Sequence, residues 1–432
     1  MSVTKPRRFL EWIKTVVIVG LLASALFLGN ATGLFNDFFA TIPLVASITA
    51  NRRNSGAATT DSDGTHFIEA SRPSAIVITL ANGERYGLKY DIAMRNLIYD
   101  RTSSILGEAL GSAALPREVE ESTWREALLL PGVYYEYNYP IKLSILGSWL
   151  GAVVSDEIGD VSLRRVFVAF GNDRSSVYFQ DAENGLFYSS ETASSATKAQ
   201  DIENYNENGT YFAYETNIYA ASVAPYMLIF QGNNHPDIRA STIGSADEQL
   251  DYVLDILGYS GDTYLPYTIA DVLVRAGAQY NIRADGQGCL FFRRTDFAPL
   301  NDEERLNGEL AIIEKARSLI AETIGNMGSG AEVFLEYMEY GNQDMLTLYF
   351  AYYIAGGRIH VYEDGYAGKL TFTDGILTEM ELRFRSYSLS GAYTSLAPER
   401  QIFAAAKSEF TLCYIDTGAD RIQPMWTAFN EQ

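Results

Sequence analysis

The chain has 432 residues, a formal net charge of -21 and a sequence pI near 4.6. Hydrophobic residues make up 47% of it, which suffices for buried cores, and the length predicts two or three domains. An acidic balance of this size argues against nucleic-acid binding, whose affinity comes from cationic neutralisation of phosphates, and against lying flat on anionic lipid.

The first predicted element is a transmembrane helix over residues 15–35, which contain no charged side chain. At about 1.5 Å per residue this helix is about 31 Å long, enough to cross the hydrocarbon core of a bilayer. Residues 1–14 carry four basic side chains and one acidic side chain. The positive-inside bias therefore predicts a cytoplasmic basic tail, with the rest of the chain outside.

A cleaved signal peptide is the alternative, because Ala23-Ser24-Ala25 forms an A-x-A site behind an apolar stretch. The chain does not turn polar after Ala25 but continues as LFLGNATGLF. Cleavage would leave this segment as an exposed apolar terminus. The sequence therefore favours an anchor that is kept.

Ala25, Gly29 and Gly33 recur every four residues in this segment. On a helix they place small side chains on one face, where another membrane helix can approach closely. They are the candidate partner-interface residues. The alternative is that the two glycines only loosen the outer end of the helix.

Residues 36–65 form a juxtamembrane segment and linker, whose part from residue 51 is small, polar and without periodicity. Three α+β domains are predicted after it: an N-terminal domain over 66–200, a central domain over 201–300 and a C-terminal domain over 301–432.

The N-terminal domain begins with two strand-like runs around Asn82-Gly83, a strong hairpin signal. Apolar spacing near 3.6 predicts helices over 91–110 and 117–130. A Tyr-rich strand then runs through Pro140 into an apolar helix, and three short strands are predicted over 164–192.

In the central domain, Ser245 and Glu248 have the spacing of a capping box at the start of a helix. A further helix over 268–277 and a hairpin turning at Asp285-Gly286 are predicted after it. The C-terminal domain opens with a long helix over 301–325, followed by strands, a helix and strands. The predicted fold class is α+β: an N-terminal transmembrane helix followed by antiparallel sheets packed with helices.

The sequence predicts no catalytic, cofactor or metal site. It contains no H-E-x-x-H, C-x-x-C, Walker or G-x-S-x-G motif, and its three histidines are isolated. Cys289 and Cys413 are favoured as free thiols, with a single disulfide as the alternative.

Three weak chemical signals have simpler explanations. Ser195 and Lys198 fit S-x-x-K inside a polar loop, Asp61 and Asp63 resemble the start of a calcium loop without its later ligands, and Glu363, Asp416 and Asp420 lie at predicted turns.

Four features carry a family resemblance: the basic N-terminus with its span (RRFLEWIKTVVIVGLLASALFLG), the Tyr-rich strand and helix (YYEYNYPIKLSIL), the long helix before strands reading LTLYFAYYI and ILTEMELRFRSYSL, and the closing DRIQPMW. Together they resemble the YycH/YycI family, membrane-anchored extracytoplasmic regulators of the WalK (YycG) sensor kinase in Gram-positive bacteria. Length and topology are closer to YycH.

The resemblance implies a non-enzymatic, single-pass protein of the cell membrane, with its N-terminus in the cytoplasm and most of the chain outside. It implies contacts of the transmembrane helix and the ectodomain with a sensor histidine kinase, and a heterodimer with a related anchored regulator, in cell-wall homeostasis. No cofactor is implied. Two other functions stay open: a module that binds peptides or wall fragments, and an anchored hydrolase.

Overall fold

The computed structural model describes the chain from residue 69 to residue 428, with gaps. The described ranges are 69–171, 174–193, 209–219, 223–230, 232, 234–259, 264–296, 305–325, 327, 330–342, 344–362, 365–405 and 410–428. The predicted anchor over 15–35, with Ala25, Gly29 and Gly33, lies outside these ranges. Among the described residues, no helix combines the length and the hydropathy that crossing a bilayer requires.

The first sheet is built from seven strands: β1 (Ala75–Thr79), β2 (Arg85–Leu88), β3 (Arg117–Val119), β4 (Gly132–Lys142), β5 (Ser162–Phe170), β6 (Ser175–Asp181) and β7 (Phe187–Glu191). They lie in the order β2-β1-β4-β5-β6-β7-β3, and every pair is antiparallel. The predicted hairpin around Asn82-Gly83 connects β1 to β2 and is confirmed.

Both faces of this sheet are covered. Ile76 and Ile78 of β1 belong to the main hydrophobic core, while Ala75 and Val77 belong to a second core on the opposite face. Successive strand residues point to opposite faces, so a strand buried on both sides needs an unbroken apolar run. The segment AIVIT of β1 is such a run, and all five residues are buried.

Three helices accompany the first sheet: α1 (Ile92–Gly111), α2 (Glu121–Ala127) and α3 (Leu143–Trp149). Asp91 caps α1 by accepting a hydrogen bond from the backbone N–H of Met94 at 3.0 Å. α3 begins directly after β4, which confirms the predicted passage from a Tyr-rich strand through Pro140 into an apolar helix.

The middle of the chain forms β8 (Thr210–Phe212), β9 (Leu228–Phe230), β10 (Asn234–Thr242) and helix α4 (Ala246–Ile256). β8 and β9 pair with each other. The predicted capping box at α4 is confirmed, because the Ser245 and Glu248 side chains each accept a hydrogen bond from the other's backbone N–H.

Most strands of the second half join one 11-stranded sheet. The elements are β11 (Tyr267–Ile269), β12 (Val272–Ala276), β13 (Tyr280–Ala284), β14 (Cys289–Arg294), α5 (Glu309–Ile320), β15 (Glu332–Tyr340), β16 (Met345–Ile354), β17 (Gly357–Val361), β18 (Gly368–Thr373), β19 (Ile376–Arg383), β20 (Arg385–Ser395), α6 (Glu399–Ala405), β21 (Phe410–Asp416), β22 (Arg421–Ile422) and β23 (Pro424–Ala428).

The large sheet has the order β11-β12-β13-β14-β19-β18-β16-β17-β21-β23, and β15 pairs with the other edge of β16. β20 leaves this sheet and pairs with β10, which also pairs with β22. β17 and β21 are parallel, and the other ladders between described strands are antiparallel. The α+β class with antiparallel sheets is confirmed.

The predicted helix over 268–277 is wrong. These residues form the hairpin of β11 and β12, in which Ile269 lies opposite Val272. Ala270 and Asp271 have φ angles of 46° and 66°, the left-handed values of a two-residue hairpin turn. The apolar run of β12 is short, and a short run does not distinguish a strand from a buried helix by periodicity.

Two other predicted helices are shorter than expected. Over 301–325, α5 begins only at Glu309, after Gly308 with a φ of 87°, and ends in a π-helical turn over Ala321–Gly325. Within the helix predicted over 117–130, residues Arg117–Val119 form strand β3, and only Glu121–Ala127 form helix α2.

The two cysteines are free thiols, with Cys289 half-buried and Cys413 buried. The first sheet uses residues from 75 to 191, and the 11-stranded sheet takes strands from both sides of residue 300. The division into domains at residues 200 and 300 stays a prediction.

Candidate functional site

An irregularity in β4 shapes the candidate site. The β4–β5 register is interrupted between Glu136 and Ile141, so the intervening residues Tyr137 to Pro140 leave the ladder. Pro140 has no backbone N–H to donate to the ladder. The Tyr137 carbonyl, which has left the ladder, accepts a hydrogen bond from Nε of Arg164 at 3.2 Å. Such bulges redirect side chains, here those of the Tyr-rich motif.

Facing this bulge lie the end of α5, the π-helical turn and β15, and a cavity of about 230 Å³ opens between them. Its walls carry aromatic and aliphatic side chains, including those of Tyr139, Ile320 and Phe334, beside charged side chains such as those of Arg72 and Arg317. Burial raises the pKa of Tyr139 above its ordinary value, although the neighbouring Arg317 opposes the rise. The phenol therefore stays neutral at physiological pH and suits an apolar contact.

One set of polar contacts joins α1 to β15 beside the cavity. Arg95 and Asn96 each donate a hydrogen bond of 2.8 Å to the Glu332 carboxylate. The Arg95 guanidinium also lies 5.5 Å from the centre of the Phe334 ring. Arg95 is only 2% exposed, and its burial is compensated by this charge-assisted pairing.

A second set of contacts joins α3 and the end of β4 to α5. Lys142 Nζ lies 2.6 Å from the Glu309 carboxylate, and the Trp149 indole N–H donates to Glu314 at 2.6 Å. The Arg317 guanidinium lies 5.4 Å from the Trp149 ring. Both walls of the cavity are therefore held in place by contacts between distant parts of the chain.

The Arg72 guanidinium lines the cavity and has a donor group that is not used in a hydrogen bond within the described part of the chain. Its ion pairs with Glu69 and Asp100 measure 3.6 and 3.5 Å, longer than hydrogen bonds. Its Nε is buried and has no hydrogen-bond partner in the described part of the chain. These lining groups are suited to binding an apolar segment with a polar end.

Of the three carboxylates noted at predicted turns, the structure describes Asp416 and Asp420. Asp416 is buried in a bidentate ion pair with Arg385, and Asp420 is exposed. Ser195, Lys198, Asp61, Asp63 and Glu363 lie outside the described residues, as do the three anchor residues. The Asp416 contacts are those of a structural ion pair.

His235 and His360 both have a pKa lowered to about 4. Burial is the main cause for each ring, and the second cause is a nearby cation, Lys89 for His235 and Arg358 for His360. Within the described ranges, no three His, Cys, Asp or Glu side chains come together in a group that could hold a metal ion.

Replacing His235 by phenylalanine is expected to reduce the acid sensitivity of folding. The folded-state pKa of about 4 lies below the unfolded value near 6.5, so the neutral ring contributes stability above pH 6.5 that is lost as the pH falls toward 4. The wild-type free energy of unfolding should therefore fall by about 3 kcal/mol more than that of His235→Phe over this interval. Urea denaturation at several pH values measures this difference, and parallel pH profiles would contradict it.

A second hollow, of about 520 Å³, lies on a face of the 11-stranded sheet. Val274, Arg283, Phe291 and Glu381 follow one another in register across four of its strands and line the hollow. The Arg283 guanidinium lies 4.6 Å from the Phe291 ring. The adjoining strand β11 presents exposed apolar side chains, which are typical of protein contact surfaces.

The sequence identified one wall of the cavity but not the other. YYEYNYPIKL was recognised as a motif, and its bulged residues Tyr137, Asn138 and Tyr139 line the cavity. Arg95 and Glu332 were not recognised, because their pairing joins positions 237 residues apart. The run EVFLEYMEY at β15 predicted a strand and did not indicate this pairing.

No protein-family model matches the chain, and no curated protein matches it. Among solved structures, the crystal structure of YycH from Bacillus subtilis is similar, with a TM-score of 0.54 and 10% sequence identity. The similarity covers 84% of this chain and 94% of that chain. At this identity the similarity shows the fold, and it confirms the YycH-like fold that the sequence resemblance implied.

Proposed function

We propose that this chain is a membrane-anchored extracytoplasmic regulator of a two-component sensor histidine kinase and that it acts through protein contacts without catalysis. The observation that carries the proposal is the YycH-like fold, which extends over 84% of the chain. The apolar span over 15–35 and the Tyr-rich motif are the sequence features that agree with it.

In the proposed mechanism, the span over 15–35 packs beside the membrane helix of the kinase. The regulator shifts the kinase between its signalling states only if it binds those states with different affinities. The ectodomain adds a second contact, for which the hollow between β11 and β19 is the best-suited surface. A related anchored regulator would associate with the same assembly as a heterodimer.

The anchor is tested by adding bulk to its small-residue face. Gly29→Leu and Gly33→Leu together are expected to reduce the two-hybrid signal between the full chain and the kinase about tenfold, because close helix approach requires small side chains. Ala31→Leu adds the same side chain on the opposite helix face and serves as the control. Equal signals from the wild type and both variants would contradict the proposed helix contact.

The wider proposal is tested by purifying the tagged full chain from crosslinked membranes. We expect a sensor histidine kinase to be recovered with it. If only other proteins are recovered, and the kinase output is the same with and without the chain, the proposed function is wrong.

A further inference from the structure

Two irregular backbone segments meet at the cavity between the first sheet and α5. On one side, the bulge in β4 takes Tyr137, Asn138 and Tyr139 out of the β4–β5 ladder, and all three line the cavity. On the other, α5 ends in the π-helical turn, whose first and last residues, Ala321 and Gly325, also line it. β-bulges and π-helical turns are both frequent at functional sites. Their convergence makes this cavity a candidate binding site.

Another boundary of the cavity is the unpaired edge of β15. β15 pairs with β16 along one edge, and no described strand pairs with its other edge. β4 is a neighbour of β15 in space, but the two strands form no ladder. The consecutive residues from Glu332 to Leu335 all line the cavity. Because successive side chains point to opposite faces, this run places the cavity along the strand edge, where backbone groups can pair with an added strand.

Arg72 adds a hydrogen-bond donor at the same cavity. Its Nε is buried and has no acceptor in the described part of the chain. Its ion-pair partners, Glu69 and Asp100, both approach Nη2 rather than Nε, and their side chains are more than half exposed. A buried N–H without an acceptor costs free energy. A backbone carbonyl that enters the cavity would supply the missing acceptor.

The other lining groups suit a single apolar side chain. Tyr139, Ile320 and Phe334 offer aromatic and aliphatic surfaces, against which an apolar side chain leaves water favourably. The cavity volume of about 230 Å³ is below the roughly 300 to 1,000 Å³ typical of sites for whole small molecules. The Glu332 carboxylate is already paired with Arg95, and the chain has a net charge of -21, which repels anions. These features favour a neutral or basic peptide over an acidic ligand.

We propose that the cavity binds an extended, neutral or basic peptide segment of a partner protein, which adds as a strand along the unpaired edge of β15. One large apolar side chain of the segment enters the cavity, and one backbone carbonyl accepts a hydrogen bond from Nε of Arg72. Main-chain pairing with β15 gives affinity, and the cavity selects the apolar side chain. Peptide binding is a function that the sequence leaves open, and this site goes beyond the proposed regulation of a kinase.

Binding of a defined peptide to the full-length chain tests the site. The probe is fluorescein-labelled Lys-Thr-Phe-Thr-Lys with an amidated C-terminus, and fluorescence anisotropy measures its dissociation constant. We expect saturable binding that weakens at least tenfold when serine replaces the phenylalanine of the peptide, because the apolar walls then stay unfilled. The absence of saturable binding, or equal binding of the two peptides, would overturn the proposal.

A conservative substitution tests the role of Arg72. Arg72→Lys keeps a cation near Glu69 and Asp100 but removes Nε, and it should weaken peptide binding about tenfold because a hydrogen bond from a charged donor is lost. Arg117→Lys makes the same change at an exposed position of β3 and should leave the dissociation constant unchanged. If Arg72→Lys binds the peptide as tightly as the wild type, the proposed contact does not exist.

Hydrogen exchange locates the bound peptide. A saturating concentration of the phenylalanine peptide should slow amide exchange about tenfold in residues 332–335, because an added strand pairs with their backbone. Exchange in β11, the exposed strand beside the second hollow, should stay unchanged. Protection of β11 without protection of residues 332–335 would place the peptide in the second hollow and overturn the proposal.

Discussion

Replacing Asp416 by alanine is expected to destabilise the protein by about 3 to 5 kcal/mol, because it leaves a buried arginine without its counter-charge. Asp416 has no exposed surface, and its carboxylate accepts from Arg385 Nε at 2.8 Å and Nη2 at 3.0 Å. The Tyr387 hydroxyl and the Gly418 N–H also donate to it, each at 2.8 Å.

The hydrogen bonds of Asp416 join two sheets, so their loss lowers the stability of the fold. Arg385 and Tyr387 lie at the start of β20, where the chain leaves the 11-stranded sheet to pair with β10. Asp416 ends β21, so one carboxylate connects the two sheets. After Asp416→Ala, the buried Tyr387 hydroxyl loses its acceptor, and the buried Arg385 guanidinium keeps its hydrogen bond to Thr242 but loses its counter-charge.

Chemical denaturation of the variants measures this effect. Asp416→Asn keeps acceptor capacity without the charge and should lose less stability than Asp416→Ala. Asp420→Ala removes an exposed carboxylate four residues away and should change the free energy of unfolding by no more than about 0.5 kcal/mol. A loss of the same size in Asp416→Ala and Asp420→Ala would show that the buried pair does not matter.

Local signals in the sequence predicted local structure well. Asn82-Gly83 predicted a hairpin, Ser245 with Glu248 predicted a capped helix start, and Pro140 marked the interrupted end of a Tyr-rich strand. Each of these features depends on residues within a few positions of one another, so backbone chemistry alone decides them. The fold class followed from the same signals.

The sequence did not predict how distant elements meet. β14 pairs with β19, and the Glu332 carboxylate accepts hydrogen bonds from Arg95 and Asn96 of α1. No residue pattern that we identified in the sequence predicted either of these contacts. The hairpin of β11 and β12 was mistaken for a helix for a related reason, because pairing with β13 decides the conformation of its short apolar run. The cavity beside Arg72 is a product of such distant contacts and was therefore not predicted.

Replacing Gly356 by alanine is expected to destabilise the protein by about 2 to 5 kcal/mol, the sum of two separate costs. Gly356 has a φ of 72° in the two-residue turn between β16 and β17, where any other residue loses about 1 to 2 kcal/mol. An added Cβ would also meet the Lys89 carbonyl oxygen and lie 2.8 Å from the Tyr90 Cα atom, at the end of β2. Overpacking against a backbone costs about 1 to 3 kcal/mol more.

Gly185→Ala separates the two costs. Gly185 has nearly the same backbone angle, with a φ of 74°, but a Cβ added there has no neighbour within 4 Å. This variant should therefore lose only the roughly 1 to 2 kcal/mol of backbone strain. The difference in free energy of unfolding between the two variants measures how tightly the β16–β17 turn packs on the first sheet. Equal losses would mean that the turn moves away from Lys89 at no cost and that this contact does not hold the sheets together.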